Sequence, residues 1–271
     1  EGMISDQTAQ DLLRRAYALG YRVVDTAQSY GESETRIGAY QRQNSANLFQ
    51  TITKLSADVD LGSAMNIETA VSASLGRRGA PLFGMLLHHG AMLQQWNGPL
   101  GETLEALKLS GLILNLGASV YSSDELEMAI GIPAITFVQV PFHVFDQSLA
   151  QSGMLARARA RGMTIFVRSV YLQGLLIMPF QKAIDRVPAA APFLKNWWSI
   201  VEASGRTAQE VAFQFVRHQL PQSYLVIGAE TTEQLAANIS LALSDPLDVG
   251  ILHALETFGA VPDSVASPRY W

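Results

Sequence analysis

The chain has 271 residues, 48% hydrophobic and 16% charged, with a formal net charge of -5 and no cysteine. That composition excludes disordered, collagen-like and coiled-coil classes, and the lack of thiols excludes a disulfide framework, a thiolate nucleophile and Cys-ligated zinc. An acidic balance with no Lys/Arg-rich cluster offers no field to phosphate backbones or anionic lipid. Nucleic acid and membrane are therefore not expected partners, and a reducing, cytoplasmic setting is the expectation.

In chain order, residues 1 to 20 read as an amphipathic helix rather than a signal peptide. Short β-rich apolar runs follow at 21 to 27 (YRVVDTA), 48 to 54 (LFQTITK), 83 to 89 (FGMLLHH), 112 to 119 (LILNLGAS), 135 to 141 (ITFVQVP), 163 to 169 (MTIFVRS) and 223 to 229 (SYLVIGA). Between them lie segments of helical period such as NIETAVSASLGRRG and LAQSGMLARARARG, several ending in a capping glycine. Strands joined by crossover helices form a parallel sheet, because a tight hairpin cannot join parallel neighbours. A doubly wound sheet would want a G-x-G-x-x-G turn after its first strand, and none is present. The expected fold is therefore a (β/α)8 TIM barrel forming one domain over 1 to 271, its first strand expected upstream of residue 1. Residues 175 to 207 show no strand signal and are expected to form a long loop plus helix over the mouth of the barrel.

In such a barrel the C-terminal strand ends converge on one site. Four residues stand there: Asp25, Tyr30 in DTAQSYGESE, Lys54 and His88. Hydride addition to a carbonyl builds negative charge on oxygen, which calls for a proton donor and a fixed positive charge. Lys54 near Tyr30 would favour the phenolate and lower the phenol's pKa, and Asp25 would keep Lys54 charged. His88 would orient the carbonyl. Singly, a strand-end Asp can as well cap a helix and a Lys can as well be a solvated end. His89 should point away from His88 if the strand is regular. No metal site is assigned.

Asp25 to Glu34, followed by Ile37-Gly38, resembles the first signature of the aldo-keto reductases, and Thr53-Lys54 and Leu86-Leu87-His88 resemble the next two. The resemblance continues through LGASVYS, VQVPFHVFDQ, RSVYLQG and VIGAETTEQLAANI, covering nearly the whole chain. It implies an enzyme reducing an aldehyde or ketone, or oxidising the alcohol, with NADP(H) or NAD(H), and a small-molecule substrate such as a sugar. Tyr30 is implied as general acid/base, tuned by Lys54 and Asp25, and His88 as the substrate-orienting residue. Ser119, Gln139, Arg168, Ser169, Leu172, Gly174, Gly228, Glu230, Gln234 and Asn238 are implied cofactor contacts.

Three departures stand out. Val120 replaces an Asn of many members. Arg168, with Tyr171 as the alternative, stands where an aromatic ring usually stacks on the nicotinamide. Gly228, Ala229 and Gln234 replace cations that grip a 2′-phosphate, and Glu230 in the same loop favours a ribose hydroxyl and so NAD(H), whereas Gly228, Gln234 and Asn238 together resemble a subgroup, including the channel β-subunits, that binds NADP(H) with fewer charges. Trp96, His143, Tyr171, Trp197 and Trp198 are candidates to line the mouth, although Trp197 and Trp198 can equally pack a helix. Two other readings are a cofactor-binding regulatory protein resembling the channel β-subunits, and a Schiff-base aldolase with Lys54 as nucleophile.

Overall fold

The structure is a computed structural model describing residues 4 to 44 and 48 to 271. Among the described residues, seven strands alternate with helices: β1 (Val23–Asp25), β2 (Gln50–Leu55), β3 (Leu82–Leu87), β4 (Ile113–Ser119), β5 (Ile135–Pro141), β6 (Thr164–Arg168) and β7 (Tyr224–Leu225). The helices that follow the early strands are α2 (Ser33–Gln43), α3 (Ala64–Arg78), α4 (Gly101–Leu109) and α5 (Ser123–Gly131), with α1 (Asp6–Ala18) ahead of β1. The helix expected over 1 to 20 is therefore shorter, and residues 1 to 3 lie outside the described residues. Contacts divide the chain into two compact units. The first holds Glu1–Gln139, Ala156–Ile165 and Gly228–Ala236, and the second holds Val140–Leu155, Phe166–Ile227 and Ala237–Trp271.

In the first unit, each strand from β1 to β5 lies parallel to the next, with Asp25 opposite Ile52, Lys54 opposite Leu86, Leu87 opposite Ala118 and Ser119 opposite Gln139. This register gathers the polar residues at the same, C-terminal end of the sheet, with Ser119 and Gln139 directly opposite one another. Side chains at the helix starts satisfy the free backbone N–H groups there: Ser5 accepts from Thr8 N, Ser63 from Asn66 N and Ser122 from Glu125 N, each such cap contributing about 1 kcal/mol. The core is apolar on both sides of the sheet, as a parallel sheet requires. The Phe137 ring fills the space over two glycines of β3 and β4: a Cβ on Gly84 would meet Phe137 Cζ at 2.8 Å, and one on Gly117 would meet its Cε1 at 2.7 Å.

The second unit pairs β6 with β7 in parallel through Phe166 with Tyr224 and Val167 with Leu225. Where a loop plus one helix is expected over 175 to 207, two helices form, Phe180–Arg186 and Ala191–Ser204. The missed start carries no side-chain cap, since Pro179 precedes it. The second helix buries Leu194, Trp197 and Val201, and Trp197 Nε1 donates to Leu176 O at 2.8 Å. Trp197 therefore packs its helix instead of lining a mouth.

Helices α2 and α3 meet at Gly38, where an added Cβ would stand 2.0 Å from the Arg77 carbonyl oxygen. Backbone cannot yield as a flexible side chain can. Gly38→Ala is therefore expected to lower stability by about 1–3 kcal/mol, the range of overpacked cores, which chemical denaturation will measure.

Candidate active site

Lys54 stands near the end of β2 with 2% of its surface exposed. A buried ammonium is costly unless it is paired and hydrogen-bonded. Here Nζ donates to Asp25 Oδ2 at 2.5 Å and to the Thr26 carbonyl at 3.1 Å. The other carboxylate oxygen, Asp25 Oδ1, accepts from Gln139 Nε2 at 2.9 Å. Asp25 thus bridges a cation on β2 and a carboxamide on β5, spanning the C-terminal ends of the sheet in this unit.

Beyond β1 the chain makes two successive turns, closed by Tyr30 N donating to Ala27 O at 3.0 Å and Ser33 N to Tyr30 O at 3.1 Å. Gly31 occupies the second at φ +51, a conformation that side chains disfavour. The turns present Tyr30 with 51% of its surface exposed. Lys54 Nζ lies 5.2 Å from its ring centroid, and the His88 ring meets it edge-on at 6.3 Å and 85°. The structure thus brings Asp25, Tyr30, Lys54 and His88 together at one end of the sheet. A phenol, an ammonium and an imidazole so placed can pass a proton to or from an oxygen set among them.

His88 and His89 do not point apart as a regular strand would require. Their rings stack at 4.9 Å and 24°, because β3 ends at Leu87 and the pleat ends with it. His88 is the one with its ring against Tyr30.

Glu34 went unmarked in the sequence as a functional residue. It opens α2 with 1% of its surface exposed and accepts from Thr53 Oγ1 and from Arg77 Nε, both at 2.6 Å. It therefore ties the segment that carries Tyr30 to the residue preceding Lys54. A carboxylate this deep in a hydrophobic register is the signal, yet in sequence it reads as one more helix-start acid. Arg78 beside it is drawn down to about 10 by burial, with Glu34 acting in the opposite sense.

The remaining sequence-marked residues fall in both units. In the first, Ser119 and Gln139 are buried on paired strand ends. Gly228 and Glu230 lie on the exposed turn before the helix Thr232–Leu243, and Glu230 N donates to Gln234 Oε1 at 2.7 Å. In the second, Asn238 is buried. There Arg168 ends β6, its NH1 donating to Ser169 Oγ at 3.3 Å. Ser169, Leu172 and Gln173 all adopt positive φ, at 63, 48 and 49°, followed by Gly174 at 87°. Non-glycine residues so held cost about 1–3 kcal/mol each and cluster at ligand sites. Arg186 secures the turn by donating to Gln173 O at 3.0 Å and Gln173 Oε1 at 3.1 Å.

His143, expected at the mouth, is instead buried, with 1% of its surface exposed. Its backbone bridges Asp146, and desolvation pulls the imidazole down to about 4, with Asp146 opposing the effect. Among the described residues there is no group of His, Cys, Asp or Glu suited to a metal ion, and no helix long and apolar enough to cross a membrane.

The Aldo/keto reductase family matches residues 1–254. The chain therefore belongs to that family, whose members are oxidoreductases acting on small-molecule carbonyls, and its fold is the family's (β/α)8 type. It is 26% identical over 263 residues to morphine 6-dehydrogenase of Pseudomonas putida, covering 89% of this chain and 80% of that protein. An aldo-keto reductase of Mycolicibacterium vanbaalenii is 33% identical over 144 residues, half of this chain and 48% of that protein. Among solved structures, an aldo-keto reductase from Bacillus halodurans in its holo form aligns with a TM-score of 0.78 and 19% identity, covering 97% of this chain and 91% of the other.

Because its proton affinity falls on folding, neutral His143 stabilises the fold above its unfolded value of 6.5, and that contribution is lost as pH falls toward about 4. The loss is on the order of 3 kcal/mol. Stability curves at pH 7 and pH 4.5 are expected to differ less for His143→Gln than for the natural chain.

Proposed function

We propose that this chain interconverts an aldehyde or ketone and the corresponding alcohol using NAD(P)(H), with Tyr30 as general acid/base. The observation that carries the proposal is the meeting of a half-exposed phenol, a buried ammonium and an imidazole: Lys54 Nζ is 5.2 Å from the Tyr30 ring centroid, and His88 is 6.3 Å away. The nicotinamide, when bound, supplies or takes the hydride. The protein's task is the proton. In the reducing direction Tyr30 gives its hydroxyl proton to the developing alkoxide. Lys54, kept charged by Asp25, stabilises the phenolate left behind, a through-space attraction strengthened by the low-dielectric wall on its side. His88 donates to the carbonyl oxygen and aims it at Tyr30.

Ser119, Gln139, Arg168, Ser169, Leu172, Gly174, Gly228, Glu230, Gln234 and Asn238 are assigned to the cofactor. The chemistry of the donor set fits a dinucleotide. Gln139 spends its amide nitrogen on Asp25, so its carbonyl oxygen is the acceptor it offers a carboxamide. Arg168 presents a planar guanidinium that can stack on a ring. The strained turn from Ser169 to Gly174 supports a ligand role, since such strain needs a compensating use. Glu230, exposed before a helix start, disfavours a 2′-phosphate and favours a ribose hydroxyl, so NAD(H) is the assigned cofactor. The family match over 1–254 supports reading residues 1 to 271 as one barrel domain. Similarity to a named dehydrogenase supports alcohol oxidation as well as carbonyl reduction.

Tyr30→Phe is expected to lower kcat by about 10²–10⁴-fold, the usual contribution of a positioned acid, while NAD(P)H still quenches tryptophan fluorescence. Full turnover in that variant would overturn the proposal. In paired titrations NAD(H) is expected to bind at least about tenfold more tightly than NADP(H), with Glu230→Gln narrowing the gap, a difference of about 1.4 kcal/mol. A preference for NADPH in the natural chain would refute the role given to Glu230.

A further inference from the structure

We infer that Gln28 is a positioning residue that sets Tyr30 against Lys54 by tying the Tyr30 turn to the end of β2 and to α3; this rests on the reading of Tyr30 as the proton donor. Tyr30 is half exposed, so packing alone cannot fix its hydroxyl. The turn that carries it therefore contributes to its aim. Two residues earlier, Gln28 enters four hydrogen bonds with the neighbouring elements. Its backbone N donates to Lys54 O at 3.2 Å. Its side-chain Oε1 accepts from Ser56 N at 2.8 Å, and Nε2 donates to Ala70 O at 2.9 Å and to Ser74 Oγ at 3.0 Å.

The polarity of these bonds selects the residue. One acceptor and two donors at this reach describe a glutamine carboxamide. Glutamate keeps the acceptor but loses both donors and sets a charge against the Ala70 carbonyl; asparagine is one methylene short. Residues 54 and 56 flank the β2 end that holds the ammonium, so Gln28 fixes the turn to the same stretch of chain as Lys54. Lys54 and His88 face Tyr30, with Asp25 behind Lys54 and His89 stacked on His88. None of them is altered by changing Gln28. The rest of the turn is held by Thr26 Oγ1 donating to Ser33 Oγ at 2.8 Å and by Glu34 on α2. These contacts secure its far end, whereas Gln28 secures the near end.

Misplacing a reacting group by about 1 Å costs on the order of 10²-fold in rate. Gln28→Ala and Gln28→Glu are therefore expected to lower kcat about 10- to 100-fold, to leave the NAD(P)H dissociation constant within about twofold, and to raise the solvent deuterium isotope effect on kcat as proton transfer becomes limiting. Thermal melts identify folded variants; Gln28→Glu, which keeps the side-chain volume and the Ser56 bond, carries the test if Gln28→Ala does not fold. Unchanged kcat and isotope effect, or a fall in kcat with an unchanged isotope effect, would overturn the inference. Tyr30→Phe is assayed beside them. Turnover retained there removes the reading of Tyr30 itself, whereas loss there with natural behaviour in both Gln28 variants removes this inference alone.

Discussion

A lysine ammonium taken almost wholly out of water is the constraint around which the site is organised. Moving such an ion into a low-dielectric interior costs several kcal/mol even after relaxation, so Lys54 must find its compensation locally. It does so in Asp25 and the Thr26 carbonyl, both at the end of the neighbouring strand. Asp25 in turn needs its second oxygen satisfied, and Gln139 provides for it from β5. The ion pair and this hydrogen bond together tie three strand ends to one another. It also leaves a fixed positive charge beneath the Tyr30 ring, the one side chain of the group that reaches well into solvent.

Around that pair the chain uses polar bonds rather than burial to place an exposed phenol. Glu34 reaches from α2 to Thr53 and Arg77, and Gln28 reaches from the turn to Ser56, Ala70 and Ser74. The close approach of α2 to α3 at Gly38 brings these helices near enough for such short side chains to bridge. Local sequence and tertiary packing are therefore mutually dependent: the turn residues aim Tyr30, and the helix spacing gives those residues their partners.

The second unit stores strain instead. Three departures into positive φ at Ser169, Leu172 and Gln173 hold the backbone after β6 in a shape that flexible sequence would not adopt unaided. Bonds from Arg186 to Gln173 offset part of the cost. Strain of this kind persists where the surrounding structure over-determines it, and ligand sites are its usual setting.

Apolar β-rich runs and helical periods located the seven strands of the described residues, because such runs and crossover helices are local features that each segment carries in its own residues. The signature from Asp25 to Glu34 likewise marked Asp25 and Tyr30, and the next two marked Lys54 and His88, the four residues to which proton handling is assigned. Tertiary structure decided the rest. The relation of His88 to His89 turned on where β3 stopped, which depends on pairing with a distant strand. The burial of His143 and Trp197 turned on packing within the second unit, and no local pattern encodes which aromatic or imidazole the fold will cover. The importance of Gln28 and Glu34 was illegible for a similar reason: a polar residue in a turn or at a helix start is ordinary in sequence, and its work is defined by partners 19 to 46 positions away, which only the folded chain brings within hydrogen-bond reach.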